Sequence, residues 1–231
     1  KKRRFPPRCG ETALILSPDF WEVDGMQLSP QHSYTAQTFE EMDFSGIDLS
    51  DLTLLDCHFV RCRFQGSSLT GLKARHCSFS QCAFSYCRMA EASLEDCSLS
   101  GCRLDNANLM WSCFLDCKGL GCVFAGAEFT GATFRGGNFS MSSFLSCDLR
   151  KQRFEKVRLE QADFRQCCLR QCGFPGCDLN HAVFAGADLT ETDFRGAKLD
   201  GVDFRLMEMK RTRLELEHAI LAAESYGAVI C

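Results

Sequence analysis

Seventeen cysteines, five histidines and thirty acidic residues are the side chains of this 231-residue chain with chemistry to offer. Cysteines in such number read first as a disulfide framework or a metal array. Repeated Asp, as at Asp188, Asp193 and Asp203, reads first as a paired acid–base site. Spacing argues against all three. Zinc sites use Cys-x-x-Cys pairs with a second pair or histidines at a set distance; the chain has no such pair, and its histidines follow no ligand spacing. Thirteen cysteines share one register of period five: Cys57, Cys62, Cys77, Cys82, Cys87, Cys97, Cys102, Cys117, Cys122, Cys147, Cys167, Cys172 and Cys177. Elsewhere the same slot holds Ala92, Ala107, Ala127, Ala162 and Ala187. A slot shared by Cys and Ala asks for a small apolar side chain, and free Cys is one. So many unpaired thiols, odd in number, fit a reducing compartment, and a cytoplasmic location is expected. Stacked equivalents such as Cys57, Cys77 and Cys97 would lie near enough to oxidise during handling. No Gly-rich phosphate loop, HExxH or GxSxG is present. No catalytic, cofactor-binding or metal-ligating residue is assigned, no cofactor is expected, and the chain reads as not an enzyme.

The cysteine slot belongs to a larger frame. From Phe39 to Met209 every fifth residue is Phe, Leu or Met, except Ala74 and Gly119. A period of five fits neither a helix at 3.6 nor a strand at 2. Sustained self-similarity at a short fixed period is the mark of a solenoid. The 20 Phe against 3 Tyr and 2 Trp are then a repeated core residue. Glycines two residues after the frame position, as at Gly46, Gly66, Gly126 and Gly131, ease a corner every five residues.

Three segments follow. Residues 1–33 are irregular and Pro-interrupted, and read as an N-terminal cap or linker; an open solenoid end needs covering. Residues 34–210 carry the repeat. Residues 211–231 form a C-terminal capping and dimerisation helix with a tail. There, Thr212 and Glu215 have the spacing of a capping box, with Thr212 as N-cap. Leu216, Ile220 and Ala223 follow at i, i+4 and i+7, a candidate dimerisation stripe. No apolar run approaches the ~20 residues needed to span a bilayer. The basic N-terminus precedes only a four-residue apolar run, too short for a secretory signal. The chain does not begin with Met, as expected of a processed protein or one module of a larger one.

Blocks such as Ala187-Asp188-Leu189-Thr190-Glu191 and Ala127-Glu128-Phe129-Thr130-Gly131 read small, acidic, Phe/Leu, polar, then often Gly. In this the chain resembles the pentapeptide repeat family, A(D/N)LXX, over about three quarters of its length. The resemblance implies an all-β fold. This is a right-handed quadrilateral parallel β-helix of almost nine coils, four repeats to a coil, with the N-terminal cap and the short C-terminal α-helix added. The frame residue and the small residue two before it point inward. The other three positions face solvent.

Function then lies outside the rod. Net charge is −4, which gives no general case for direct nucleic-acid binding. Early coils are acidic, and a basic belt comes late: Arg150, Lys151, Arg153, Lys156 and Arg158, with Glu155, Glu160 and Asp163 among them as local counter-charges. A solvated mixed surface is the plain reading of this belt. With the outward Trp111 it also makes the candidate partner-binding site. Met110, Leu120, Met141 and Leu145 are outward too, and would mark a partner site where they converge. Gln152 falls in the small inward slot and, once buried, needs amide partners.

The resemblance implies a rigid, non-enzymatic protein–protein interaction scaffold of bacterial origin, such as a module of a secretion-associated or effector protein. The alternative it implies is a DNA mimic. Some members bind DNA gyrase or topoisomerase IV, confer fluoroquinolone resistance, and dimerise through a C-terminal helix placed like residues 212–226. The frame segment from Phe39 to Met209 carries 23 acids against 18 bases, a weak excess for a mimic, and the belt interrupts it. The plasmid-borne quinolone-resistance proteins also carry loop insertions that this sequence lacks. The scaffold is the preferred expectation, with an unidentified protein partner.

Overall fold

A computed structural model describes residues 14–16 and 33–229. Within them the chain winds as a parallel β-solenoid with one coil per twenty residues. Phe39 pairs with Phe59 and Phe59 with Phe79. Four columns of such pairs run along the rod, as in Thr53↔Lys73, His58↔Ser78, Arg63↔Ala83 and Ser68↔Arg88. They define four faces, numbered first to fourth in that order. On the first face, nine steps of twenty residues lead from Ser33 to Arg213. That is the length expected from the repeat count.

Among the described residues, two faces hold extended strands. The first has seven, from Ser33–Thr35 to Phe154–Glu155. The second has four, of which Leu14–Leu16 comes before the repeat and pairs in parallel with Gln37–Phe39. That strand covers one side of the first coil. The rest of the expected N-terminal cap, and the end of the C-terminal tail, lie outside the described residues.

The corner is where a square coil strains an L-residue. Every fifth residue from Ala36 to Gly201 has positive φ, between 50° and 77°. Gly takes this conformation freely and other residues less readily. Yet Trp111, Met141, Lys151 and Lys156 all occupy such corners. Pairing with the next coil compensates: Trp111 N–H donates to Thr130 O at 2.9 Å and Lys151 N–H to Arg170 O at 2.9 Å.

Frame residues and slot residues fill the interior, nearly all under 4% exposed. Phe rings stack at the coil spacing, with 4.7–4.9 Å between Phe39, Phe59 and Phe79 and 4.9–5.2 Å between Phe124, Phe144, Phe164 and Phe184. Each such ring contributes roughly 1.5–3 kcal/mol of burial. Slot residues also hold the coils together. Cys62 Sγ–H donates to Phe39 O, Cys102 to Phe79 O and Cys122 to Leu99 O, each to the carbonyl 23 residues earlier.

No helix among the described residues is long and apolar enough to cross a membrane. The helix that follows the solenoid, α1, spans Leu216–Ser225, and its N-cap is Glu215. The expected Thr212 cap is wrong for a physical reason. Thr212 still stands in the slot of the solenoid, and its Oγ1 donates to Leu189 O at 2.8 Å, as Thr192 Oγ1 does to Leu169 O. The repeat register therefore runs on to Arg213, which pairs with Asp193.

Candidate interaction surface

Several aspartates that precede a frame position have a structural task. Asp163 Oδ1 accepts the backbone N–H of Arg165 at 3.0 Å, and its carboxylate also takes the Arg165 guanidinium at 2.8–2.9 Å. Asp148, Asp193 and Asp203 do the same with Arg150, Arg195 and Arg205. Those guanidinium contacts hold the Asp193 and Asp203 carboxyls down at about 2. The repeated acids thus brace outward turns.

The slot thiols are free and buried. All fifteen cysteines among the described residues are free, and only Cys113 and Cys168 are not buried. Burial pushes Cys87 and Cys147 up to about 11, and Cys122 and Cys177 up to about 12. A nucleophile or metal ligand must be a thiolate.

The basic belt forms an arc around half a coil. Arg150 stands on the fourth face, Lys151 on the next corner, Arg153 on the first face, Lys156 on the corner after it, and Arg158 on the second face. The arginines are locally neutralised: Arg150 by Asp148, Arg153 by Glu155 at 2.6 Å, and Arg158 by Glu160 at 2.9 Å. Lys151 and Lys156 have no ion-pair partner among the described residues, so the free charge of the belt is at its corners. Beside Lys151 lies an open hollow of about 1120 Å³ whose wall includes Thr130, Gly131, Arg150, Gln152 and Arg153. Trp111 leans over that glycine from one coil before, so that a Cβ on Gly131 would lie 2.2 Å from the indole. Trp111, 63% exposed, and Lys151 therefore flank one glycine on one corner.

Leu120, Met141 and Leu145 lie on the diagonally opposite side of the rod, around the corner between the second and third faces. The outward apolar residues thus form two groups. Gln152 is buried at 7% exposure, and its Nε2 donates to Phe129 O, again 23 residues earlier. It does with an amide what cysteine does elsewhere with a thiol.

Of the expected dimerisation stripe, Leu216 is 79% exposed, while Ile220 and Ala223 are half-buried. The face of α1 turned to the solenoid carries His218, Leu221 and Ala222 instead. His218 is a residue that sequence spacing did not single out. It is 2% exposed, with Nε2 3.0 Å from Ala197 O and Nδ1 accepting Glu215 N–H at 3.5 Å. Glu215 and Glu217 lie near the same imidazole. Both ring nitrogens are occupied by backbone groups, which makes this cluster a helix anchor.

Fold and surface together define a four-sided repeat rod whose outward chemistry is local ion pairing. Two family models match the chain, one for a pentapeptide repeat region over residues 87–164 and 147–219, and one for pentapeptide repeats over residues 43–81. The chain belongs to the pentapeptide repeat family. Among solved structures it is similar to a trypsin-treated variant of QnrB1, a plasmid-mediated fluoroquinolone resistance protein. That match has 23% identity and a TM-score of 0.68, over 87% of this chain and all of that one. Full-length QnrB1 matches at 23% identity and a TM-score of 0.62, over 85% of this chain and all of that one. HetL, from the cyanobacterium Nostoc, matches at 17% identity and 0.48, over 78% and 90%. At these identities the likeness concerns the fold. No curated protein matches the chain.

Proposed function

We propose that this chain is a non-enzymatic, rigid scaffold of the bacterial cytosol that binds another protein through a lateral surface. The observation that carries the reading is the corner of Trp111, Gly131 and Lys151. An exposed indole lies over Gly131, and Gly131 and the unpaired ammonium of Lys151 both line a hollow. Exposed aromatics and unpaired cations at a depression are what partner recognition uses. The buried thiols and the turn-bracing aspartates support the absence of turnover.

The test is retention of a partner from native cytosol on immobilised full-length protein. Wild type is expected to retain a defined protein, and a Trp111→Ala, Lys151→Glu, Lys156→Glu variant to lose it. No retained protein, or equal retention by the variant, removes the reading.

Mimicry of DNA on gyrase needs a continuous negative face. Here many acids on the faces pair with bases about two residues or about one coil away, as Asp43 does with Arg63, Glu95 with Arg75 and Asp188 with Arg170. The scaffold is favoured on that ground. Neither inhibition of gyrase supercoiling nor protection from ciprofloxacin is expected at micromolar protein, and either effect would restore the mimic.

A further inference from the structure

The third face differs from the others. Every charge on its flat part is paired within that face: Asp43 with Arg63, Arg103 with Asp105, Asp163 with Arg165, and Asp203 with Arg205. Between these pairs, Ala83, Val123, Ala125, Leu145 and Val183 take outward positions. Three of the exposed large hydrophobic residues of the rod stand along its two edges: Tyr86 at 67% and Met141 at 58% on corners, and Leu206 at 64% in the 3-10 turn Phe204–Leu206.

The order of these residues along the rod is antisymmetric about a level between Val123 and Ser143, which are bridge partners on adjacent coils. Counting coils outward from that level, Arg103 corresponds to Asp163, Asp105 to Arg165, and Arg63 to Asp203. Six of the eight charges of the face have the opposite charge at the mirrored coil; Arg205 falls opposite Gln65, and Asp43 has no counterpart on the face. Apolar Ala83 corresponds to Val183. At the two edges Met141 corresponds to Gly121, Tyr86 to Gly186, and Leu206, in the 3-10 turn Phe204–Leu206, to Gly66, while Gln81 meets His181 and Asn106 meets Gln166.

We infer that the third face is a self-complementary interface, on which a second copy of this chain docks antiparallel about a two-fold axis through the level between Val123 and Ser143. That axis lies along the strand direction. It reverses the rod and keeps each column of side chains opposite the same column. Arg103 and Asp105 then meet Asp163 and Arg165 of the second copy as an alternating square of charges. Met141, Tyr86 and Leu206 each enter the gap left by a glycine corner. An isologous contact needs this self-complementarity, and charge complementarity fixes its register. At ~4.8 Å per coil and ~3.3 Å per residue the face is about 40 Å by 15 Å. It buries on the order of 1,200 Å² over the two copies, the lower range of a stable interface. The contact is separate from α1. It leaves the Trp111–Lys151 corner free on both copies, so it stands whether or not the scaffold reading does.

Sedimentation equilibrium of the full chain at micromolar concentration tests this. Twice the 25.9 kDa chain mass is expected. Exchanging one pair, Arg103→Asp with Asp105→Arg, keeps an ion pair within the chain but sets like charges against Asp163 and Arg165. It should raise the dimer Kd about tenfold or more. Adding Asp163→Arg with Arg165→Asp should restore the wild-type Kd. Tyr86→Glu, at a solvent-exposed corner outside the core, should also give monomer, and serves as the second probe should the exchange disturb folding. Leu216→Glu in α1 should leave the mass doubled. A monomeric wild type, a dimer indifferent to both face variants, or a dimer lost on Leu216→Glu alone overturns the proposal.

Discussion

Gly119 and Phe139 share one site in the core. Gly119 occupies a frame position without a side chain, and the ring of Phe139, one coil later, fills the space, so that a Cβ on Gly119 would lie 2.4 Å from two of its carbons. Leu99 and Leu159 stand above and below them in the column. Gly119→Leu alone should overpack the core and cost about 1–3 kcal/mol. Phe139→Leu alone leaves a void and should cost a comparable amount. Together they complete a column of leucines, and the double variant should be more stable than the sum of the two losses allows. Urea unfolding of the four proteins checks this; additive losses would show that the two residues do not share the site.

That relationship marks how far the sequence could be read. The five-residue frame was legible because burial repeats with it. The cysteine slot was legible for the same reason, as a small inward position. What lay one coil apart was less so. In sequence Gly119 is a gap in the frame, which Phe139 fills from the next coil, and Gln152 is a buried amide, whose partner, Phe129 O, lies 23 residues earlier. Thr212 and Glu215 have correct capping-box spacing, but a hydroxyl in the solenoid slot already has a carbonyl to bond. Trp111 and Lys151 are forty residues apart in sequence, and come to one corner only once the coil closes at twenty. His218 carried no signal, since its partners are backbone groups of the last coil and of the helix start.

Gln152 should tolerate a short donor and resist loss of the donor. Phe129 O already accepts Ala132 N–H at 2.8 Å, so Gln152 serves its second lone pair. Thr192 and Thr212 make the equivalent bond from the same slot. Gln152→Thr is therefore expected within a few tenths of a kcal/mol of wild type, whereas Gln152→Met, similar in volume but without a donor, should lose about 1 kcal/mol. Thermal or urea unfolding separates the two. Equal stability of the Thr and Met variants would remove the hydrogen bond from the account.

Acid should weaken the last coils through Asp193. The Arg195 guanidinium beside it, with the Arg195 N–H, holds its carboxyl at about 2, below the ~3.9 of an unfolded Asp. A depressed carboxyl contributes stability that is present above the unfolded value and lost as pH falls through the folded one. Asp193→Asn keeps an acceptor for the turn but no charge. It should be less stable than wild type at pH 7, and the gap should close between pH 4 and pH 2. A gap in urea midpoint that stays constant over that range would contradict the assignment.

Alkali should act on the thiols in the opposite sense. Unfolded thiols ionise near ~8.5, whereas burial holds Cys87 and Cys147 at about 11 and Cys122 and Cys177 at about 12. Above ~8.5 the unfolded chain releases protons that the folded chain retains, so stability is complete below that pH and falls as pH rises toward the folded values. Each such thiol adds ~1.4 kcal/mol per pH unit to the slope. Cys122→Ala with Cys177→Ala uses the residue that fills the slot at Ala162 and Ala187, and should flatten the loss of stability between pH 9 and pH 11 by two thiols' share. In native protein at pH 8 with Cys9→Ser and Cys231→Ser, a thiol reagent should modify Cys113 and Cys168 rapidly and the buried slot cysteines only on unfolding. Equal alkaline slopes in the two proteins, or rapid labelling of the slot thiols, would mean that the core admits hydroxide or reagent, and that the cysteines are reactive groups as well as packing.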